Sequence, residues 1–156
     1  MKALEIIATG PLAMVQDLGR PGRMKYGVPP GGALDRESLQ LANALVGNAP
    51  GQPAIEITLG GFSATALCPL TLATAGAWAP LDVDGAPVEP YMAFSVAPGR
   101  TINVAPVSWG ARVYLAVAGG IDAPSVLGSA ATFARGRMGG LTGDGKPLRV
   151  GDVISV

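Results

Sequence analysis

Short apolar runs separated by Gly and Pro form the main pattern along this chain. The runs are rich in Val, Ile, Leu and Thr, a composition typical of strands, and the Gly and Pro between them favour turns. The pattern therefore predicts many short strands and few helices. We predict strands at 4–9, 54–59, 62–67, 70–74, 81–83, 93–96, 101–104, 112–118 and 153–156.

Two pairs of residues between these runs are typical of tight hairpin turns. Asp84-Gly85 follows one strand and precedes Pro87-Val88, and Gly60-Gly61 separates two other strands. Both pairs suit turns whose central residues need positive φ. Many short strands at this spacing indicate an all-β fold with one short helix, either a barrel or a closed sandwich.

A single helix is predicted at 36–46. Asp35 is a favourable N-cap, and Gly47 suits the left-handed residue that commonly ends a helix. Leu34 and Leu39 have the spacing of a hydrophobic staple across the N-terminus. One face of the helix is apolar and is expected to pack on the sheet. That face consists of Leu39, Ala42, Leu45 and Val46.

Composition limits the size of the fold and its partners. The 156 residues suit one domain, and the 11 basic residues balance the 11 acidic residues. No net charge is therefore available to attract nucleic acid or an anionic membrane. Charged residues make up only 14% of the chain, which suggests an apolar surface covered by a partner protein. No apolar stretch is long enough to span a bilayer, and no signal peptide is visible, so we expect a cytoplasmic protein.

The scarcity of His and Cys excludes several chemistries. The chain has no His, so it cannot supply a Ser-His-Asp or Cys-His nucleophile pair or a His-based metal site. Cys68 is the single cysteine, which excludes an internal disulfide and a thiolate zinc site. We interpret Cys68 as a small buried hydrophobe and predict no metal site.

A Gly-rich segment partly matches a phosphate-binding loop. Residues 140–146 satisfy G-x-x-x-x-G-K, but Pro147 stands where Ser or Thr would bind Mg²⁺. A phosphate-binding loop also leads into a helix, whereas the residues after Pro147 predict a turn and a strand. We interpret the match as a product of the high Gly content.

The loop from Gln16 to Asp35 is the most informative segment for function. Such long irregular connections are uncommon in compact domains and are usually functional or disordered. Gln16 can donate and accept hydrogen bonds, Asp17 can accept them, and Arg20 offers a planar fork for a carboxylate or a carbonyl. An ion pair between Asp17 and Arg20 that merely ties the loop to itself is an equally good interpretation.

Two polar residues outside the loop are further candidates. Asn43 lies on the predicted helix, where a binding role and a solvated surface position are equally good interpretations. Glu56 interrupts an apolar strand, and Thr58 follows on the same strand face. A solvent-exposed face is the leading interpretation, and a general base or an acceptor for an amide N–H is the alternative.

Several motifs stand in order along the whole chain. They are Gln16-Asp-Leu-Gly-Arg20, Gly27-Val-Pro-Pro30, Ala33-x-Asp35, Leu41-Ala-Asn43, Leu45-Val-Gly-Asn48, Ile55-Glu-x-Thr58, Leu115-Ala-Val-Ala-Gly-Gly-Ile-Asp122 and Leu127-Gly-Ser129. Together these motifs resemble the allophanate hydrolase subunit 2 family, which includes biotin-dependent carboxyltransferases, a subunit of 5-oxoprolinase and an antagonist of a sporulation-kinase inhibitor. The resemblance implies a cyclophilin-like β-barrel, with residues 1–156 forming the N-terminal lobe of two.

The resemblance also implies a function and a set of roles. It indicates a subunit of an ATP-dependent hydrolase that acts on a small cyclic amide, 5-oxoproline. This subunit works with a subunit 1-like protein and a third subunit, and ATP is expected to be bound mainly by these partner subunits or across an interface with them. Alternatives are a regulatory module that binds a subunit 1-like kinase inhibitor, and carboxyl transfer to urea, which needs a biotin carrier. Without the second lobe the chain is expected to be inactive.

The site residues implied by the resemblance follow the motifs. Glu56 and Asp17 are expected in catalysis, while Gln16, Arg20, Asp35 and Asn43 are expected to bind the substrate or order its pocket. Two departures bear on this expectation: Gly31 stands where Ser is common, and Phe62 stands where Pro more often follows the Gly-Gly turn.

Overall fold

The computed structural model describes residues 1–156, and its regular secondary structure is mostly antiparallel strands. It contains eleven strands, one α-helix and a short 3-10 helix at Met24–Tyr26. The α-helix, α1, spans Arg36–Leu45. The strands are β1 Lys2–Thr9, β2 Leu12–Gln16, β3 Ala54–Thr58, β4 Phe62–Ala66, β5 Leu70–Trp78, β6 Leu81–Val83, β7 Ala86–Val88, β8 Ala93–Val96, β9 Thr101–Val104, β10 Trp109–Val117 and β11 Val153–Ser155.

The strands form two sheets whose inner faces share one core. The six-stranded sheet has the order β11-β1-β4-β9-β6-β7, and the five-stranded sheet has the order β2-β3-β10-β5-β8. Apolar side chains from both sheets form a cluster of 23 buried residues, with Ile6 and Ile102 from one sheet and Ile57, Leu72 and Leu115 from the other. The all-β fold is confirmed, although the hydrogen bonds define two sheets rather than one closed ring.

The hairpin predicted at Asp84-Gly85 agrees with the structure, since it joins the paired strands β6 and β7. The hairpin predicted at Gly60-Gly61 is wrong, because β3 and β4 lie in different sheets and do not pair. Two strands, β2 and β7, were not among those predicted. Asp84 and Gly85 both have positive φ, at 50° and 82°, as their turn requires. Strand β2 was missed because Gly10 and Pro11 interrupt the apolar pattern just before it. Pairing with β3 along its whole length is what makes this short segment a strand.

Helix α1 packs on the outer face of the five-stranded sheet. Asp35 caps its N-terminus by accepting a hydrogen bond from the Ser38 amide at 3.0 Å. Gly47 follows the helix with φ of 77°, in the left-handed region. The expected staple is wrong, because Leu34 is 71% exposed while Leu39 is fully buried. The helix contacts the sheet through a small cluster that comprises Ala33, Leu39, Ala42, Ala54, Ala75, Tyr114 and Ala116. No helix of the structure has the length and apolar character needed to cross a membrane.

Candidate functional site

The outer face of the five-stranded sheet carries a row of polar side chains. In β3 the core residues Ile55 and Ile57 point inward, so Glu56 points to the helix side. The register pairs Glu56 with Tyr114, so both side chains emerge on this outer face. Arg112 lies two residues from Tyr114 on β10 and shares that face. The face therefore joins an acid, a phenol and a guanidinium beneath the end of the loop 16–35.

Glu56 is buried at the centre of this group and is only 3% exposed. Its Oε2 accepts hydrogen bonds from the Tyr114 hydroxyl at 2.7 Å and from the Leu34 amide at 2.9 Å. Its Oε1 lies 3.5 Å from the Arg112 Nε. The interpretation of a solvent-exposed strand face is therefore wrong, because the end of the long loop covers this carboxylate.

Tyr114 connects Glu56 to the start of the helix. Its hydroxyl donates to Glu56 and accepts from the Asp35 amide at 2.8 Å. Burial raises the pKa of Tyr114 well above its ordinary value, and the neighbouring Glu56 adds to the rise, while the Asp35 amide partly offsets it. The phenol consequently keeps its proton and remains a donor to the carboxylate. The Asp35 carboxylate caps the helix and makes no contact with Glu56.

A cavity of about 240 Å³ opens beside this cluster. Its walls include Leu34 and Asp35 from the loop, Ala77 from β5, and Trp109 and Arg112 from β10. Arg112 therefore lines the cavity and also contacts Glu56. The rest of the wall is formed by Gly76, Gly110 and Ala111. A larger cavity of about 580 Å³ lies where the chain termini meet, but no titratable side chain lines it.

Asp17 and Arg20 form a second, separate cluster that fixes the start of the loop. The Asp17 carboxylate accepts from the Gly19 amide at 2.7 Å, the Ser129 hydroxyl at 2.6 Å and the Ala130 amide at 2.7 Å. The two residues form no ion pair, so that interpretation is wrong. Asp17 instead binds the segment 126–132, which lies far away in sequence.

Arg20 also contacts the segment 126–132 and helps to fix the start of the loop. It is 1% exposed, and it donates to the backbone carbonyls of Val126, Ser129 and Ala131. Burial lowers the pKa of Arg20, and the charge of Asp17 counters part of this effect. Its Nη1 is buried without a partner, and Gly31 lies nearby. Arg20 lines none of the cavities.

Gln16 and Asn43 are likewise buried within the fold. The Gln16 amide donates to the Thr132 carbonyl at 3.3 Å. Asn43 is fully buried, donates to the Gln52 carbonyl at 2.8 Å and accepts from Asn48 at 3.0 Å. The interpretation of Asn43 as a solvated helix position is therefore wrong. It ties the end of the helix to the turn that follows.

The structure thus divides the six candidates between two clusters and one separate position. Glu56 and the Asp35 backbone meet at Tyr114, whereas Gln16, Asp17 and Arg20 bind the segment 126–132. Asn43 lies near the C-terminal end of helix α1. Sequence reasoning missed Tyr114 and Arg112. A signal was present, because Arg112 and Tyr114 alternate with Val113 and Leu115 in a predicted strand, which places both polar side chains on one face.

The Gly-rich segment does not fit a nucleotide phosphate. Lys146 pairs with the neighbouring Asp144, so its ammonium group is already engaged. After Pro147 the Leu148 amide pairs with the Ala13 carbonyl, and the next regular element is the strand β11 rather than a helix. No group of three or more Asp, Glu, His or Cys side chains is placed to hold a metal ion.

The two-sheet fold is that of known enzyme domains. It superposes on the Kluyveromyces lactis urea amidolyase with a TM-score of 0.93 at 39% identity, covering 99% of this chain and 9% of that one. The K. lactis urea carboxylase gives the same TM-score and identity over 14% of its length. Residues 26–156 match the family model of the carboxyltransferase domain, subdomain A and B. The chain therefore belongs to this carboxyltransferase domain family.

Relatives with curated names fall into two groups. The chain is 38% identical over 153 residues to a subunit of 5-oxoprolinase from Escherichia coli K12, and this match covers 98% of the chain. It is 40% identical over 153 residues to the urea amidolyase of Saccharomyces cerevisiae, with 97% of the chain covered. The match spans 49% of the first relative and 8% of the second. The chain thus corresponds to about half of a subunit, or to a small part of a multidomain enzyme.

Proposed function

We propose that this chain is the N-terminal lobe of a subunit in an ATP-dependent enzyme that hydrolyses a small cyclic amide of the 5-oxoproline type. In that reaction one water adds across the ring C–N bond and opens the ring to glutamate, and a second water is consumed as ATP is hydrolysed to ADP and phosphate. The proposal is supported by the 38% identity to a subunit of 5-oxoprolinase. The family alone does not fix the substrate, since urea enzymes share it.

The observation that carries the proposal is the oriented carboxylate of Glu56. Its Oε2 is fixed by two neutral donors, Tyr114 and the Leu34 amide, so the orientation of the whole carboxylate is fixed as well. Its Oε1 accepts no hydrogen bond and makes only the 3.5 Å contact with Arg112. We assign Glu56 as the general base, or as the acceptor for the substrate N–H. Asp17 is a weaker candidate because three donors occupy its oxygens.

ATP in this proposal is bound by other parts of the assembly. Lys146 is paired, and no helix follows it, so the chain offers no phosphate-binding loop. The partners we propose are a subunit 1-like protein, a third subunit and a second lobe. The chain's own contribution is to bind the cyclic amide beside Glu56 and to hold the base in position.

The test is 5-oxoproline hydrolysis by the complex reconstituted with its other subunits and ATP. We expect Glu56→Gln to lower kcat by about 100-fold or more, since it removes the base and keeps the side-chain shape. Glu89→Gln, at an exposed position, is the matched control. Full activity of the Glu56→Gln complex would refute the assignment of the base. A wild-type complex that does not hydrolyse 5-oxoproline would refute the proposed function.

Carboxyl transfer to urea is the second candidate, favoured by the 40% identity to a urea amidolyase. On this alternative Glu56 accepts a hydrogen bond from a urea N–H, and a biotin carrier supplies the carboxyl group. The two candidates are separated by giving the same complex urea and bicarbonate in place of 5-oxoproline, with a biotin carrier and its carboxylase added.

A further inference from the structure

Arg112 lies between the buried Glu56 and the cavity at the start of the helix. We propose that Arg112 recognises a carboxylate on the substrate, so that the site takes a small ring amide that carries an acid group. This inference rests on the proposed function and adds the residue that selects the substrate.

The guanidinium has unused donors. The Arg112 Nε lies 3.5 Å from Glu56 Oε1 and is buried, so it faces that carboxylate and not the cavity. The two Nη groups donate no hydrogen bond within the chain and belong to the accessible part of the side chain, which is 25% exposed. An acceptor on a ligand in the cavity can bind these two groups.

The cavity has the shape and polarity of a site for a small organic acid. Its volume of about 240 Å³ is below that of a typical drug pocket, so it suits a ligand of one small ring. Leu34, Ala77 and Trp109 give it apolar walls for the ring. Arg112 is the one basic residue among those that line it. The single acidic residue, Asp35, directs its carboxylate to Ser38 at the helix start.

Arg112 thereby takes the role that the sequence suggested for Arg20. Arg20 is almost fully buried, and backbone carbonyls occupy its Nε and Nη2. The Arg112 side chain is 25% exposed and lines the cavity. An arginine can bind a carboxylate through two parallel hydrogen bonds, a geometry that an uncharged amide does not satisfy. Arg112 therefore favours an acidic lactam over urea.

The experiment compares the binding of three probes to the chain by isothermal titration calorimetry. The probes are 5-oxoproline, 2-pyrrolidinone, which has the same ring without the carboxylate, and urea. We expect the wild-type chain to bind 5-oxoproline at least about 10-fold more tightly than 2-pyrrolidinone, since a charged hydrogen bond contributes more than about 1.4 kcal/mol. Arg112→Met removes this preference, and Arg112→Lys keeps part of it because the charge remains.

The controls separate recognition from folding. Arg149→Met changes an exposed arginine and is expected to leave the preference unchanged. Every variant is measured below its own Tm. The readout is the ratio of the dissociation constants for 5-oxoproline and 2-pyrrolidinone, because a general loss of packing weakens the binding of both lactams alike.

Three results would overturn the inference. The first is a wild-type chain that binds both lactams equally, and the second is an Arg112→Met chain that keeps the preference for 5-oxoproline. The third is a wild-type chain that binds neither lactam, because the cavity and Arg112 both belong to this chain. Failure of the proposed function has a different signature, in which the chain binds 5-oxoproline through Arg112 but the complete complex leaves it unhydrolysed.

Discussion

At the residue scale, Tyr114 shows how burial fixes a proton next to the proposed base. The phenol is fully buried, and its hydroxyl contacts both Glu56 and the Asp35 amide. Its raised pKa means that the folded chain holds this proton at a pH where the unfolded chain has lost it. Folding then depends on pH, because stability falls wherever the folded state binds more protons than the unfolded state.

This dependence gives a prediction for the alkaline range. The contribution of Tyr114 is complete below about pH 10, the pKa of an unfolded tyrosine, and is lost as the pH rises toward the higher folded pKa. The loss has a slope of at most about 1.4 kcal/mol per pH unit. Urea unfolding between about pH 8 and 11.5 measures it, and Tyr114→Phe should flatten the slope.

Tyr26→Phe is the matched control, because Tyr26 is 67% exposed. It should leave the slope as in the wild type. The same alkaline slope in Tyr114→Phe would show that other groups cause the loss. Tyr114→Phe should also lower the free energy of unfolding near neutral pH by about 1–3 kcal/mol, through the two lost hydrogen bonds.

At the scale of elements, the loop 16–35 is fixed at both ends by different clusters. Asp17 and Arg20 hold its start against the segment 126–132, and Glu56 and Tyr114 hold its end through the amides of residues 34 and 35. The first cluster positions the loop, and the second lies beside the cavity. Motif residues that are adjacent in sequence therefore serve different purposes.

Removing Asp17 tests this division. Asp17→Ala leaves the Ala130 amide and the Ser129 hydroxyl without their acceptor and Arg20 without the nearby negative charge. We expect the free energy of unfolding to fall by about 3 kcal/mol and hydrogen exchange at Ala130 to accelerate. Asp122→Ala, at an exposed position, is the control and should change stability by less than about 0.5 kcal/mol. Unchanged exchange at Ala130 would contradict the assigned contact.

Local rules explain which elements the sequence could predict. The helix has its cap at Asp35 and its stop at Gly47, and the Asp84-Gly85 turn requires only positive φ, so neighbouring residues determine these features. Burial of Glu56 depends on Leu34, and two of the three donors to the Asp17 carboxylate lie more than 110 residues away. Such contacts arise only when the sheets pack. Patterns within the sequence therefore identified most of the elements and singled out several polar residues, but they did not predict the burial of those residues or their partners.

At the scale of the whole molecule, the two faces of the five-stranded sheet have different tasks. The inner face forms the common core with the six-stranded sheet, and the outer face carries the helix, the loop and the polar row. Changes in the polar row thus leave the larger core intact. The arrangement lets the proposed site be altered while the fold persists.

This arrangement predicts that binding and turnover separate. The cavity, Arg112 and Glu56 all belong to this chain, whereas Lys146 pairs with Asp144 and leaves no phosphate-binding loop. We expect the chain alone to bind 5-oxoproline but to release no glutamate from it with ATP present. Adding the other subunits and the second lobe should start turnover, measured as ATP-dependent glutamate release. Hydrolysis by the chain alone would mean that its own residues bind ATP. Lys146→Met would then test whether the nucleotide lies at Lys146, with Lys2→Met as a control at an exposed position that lines no cavity.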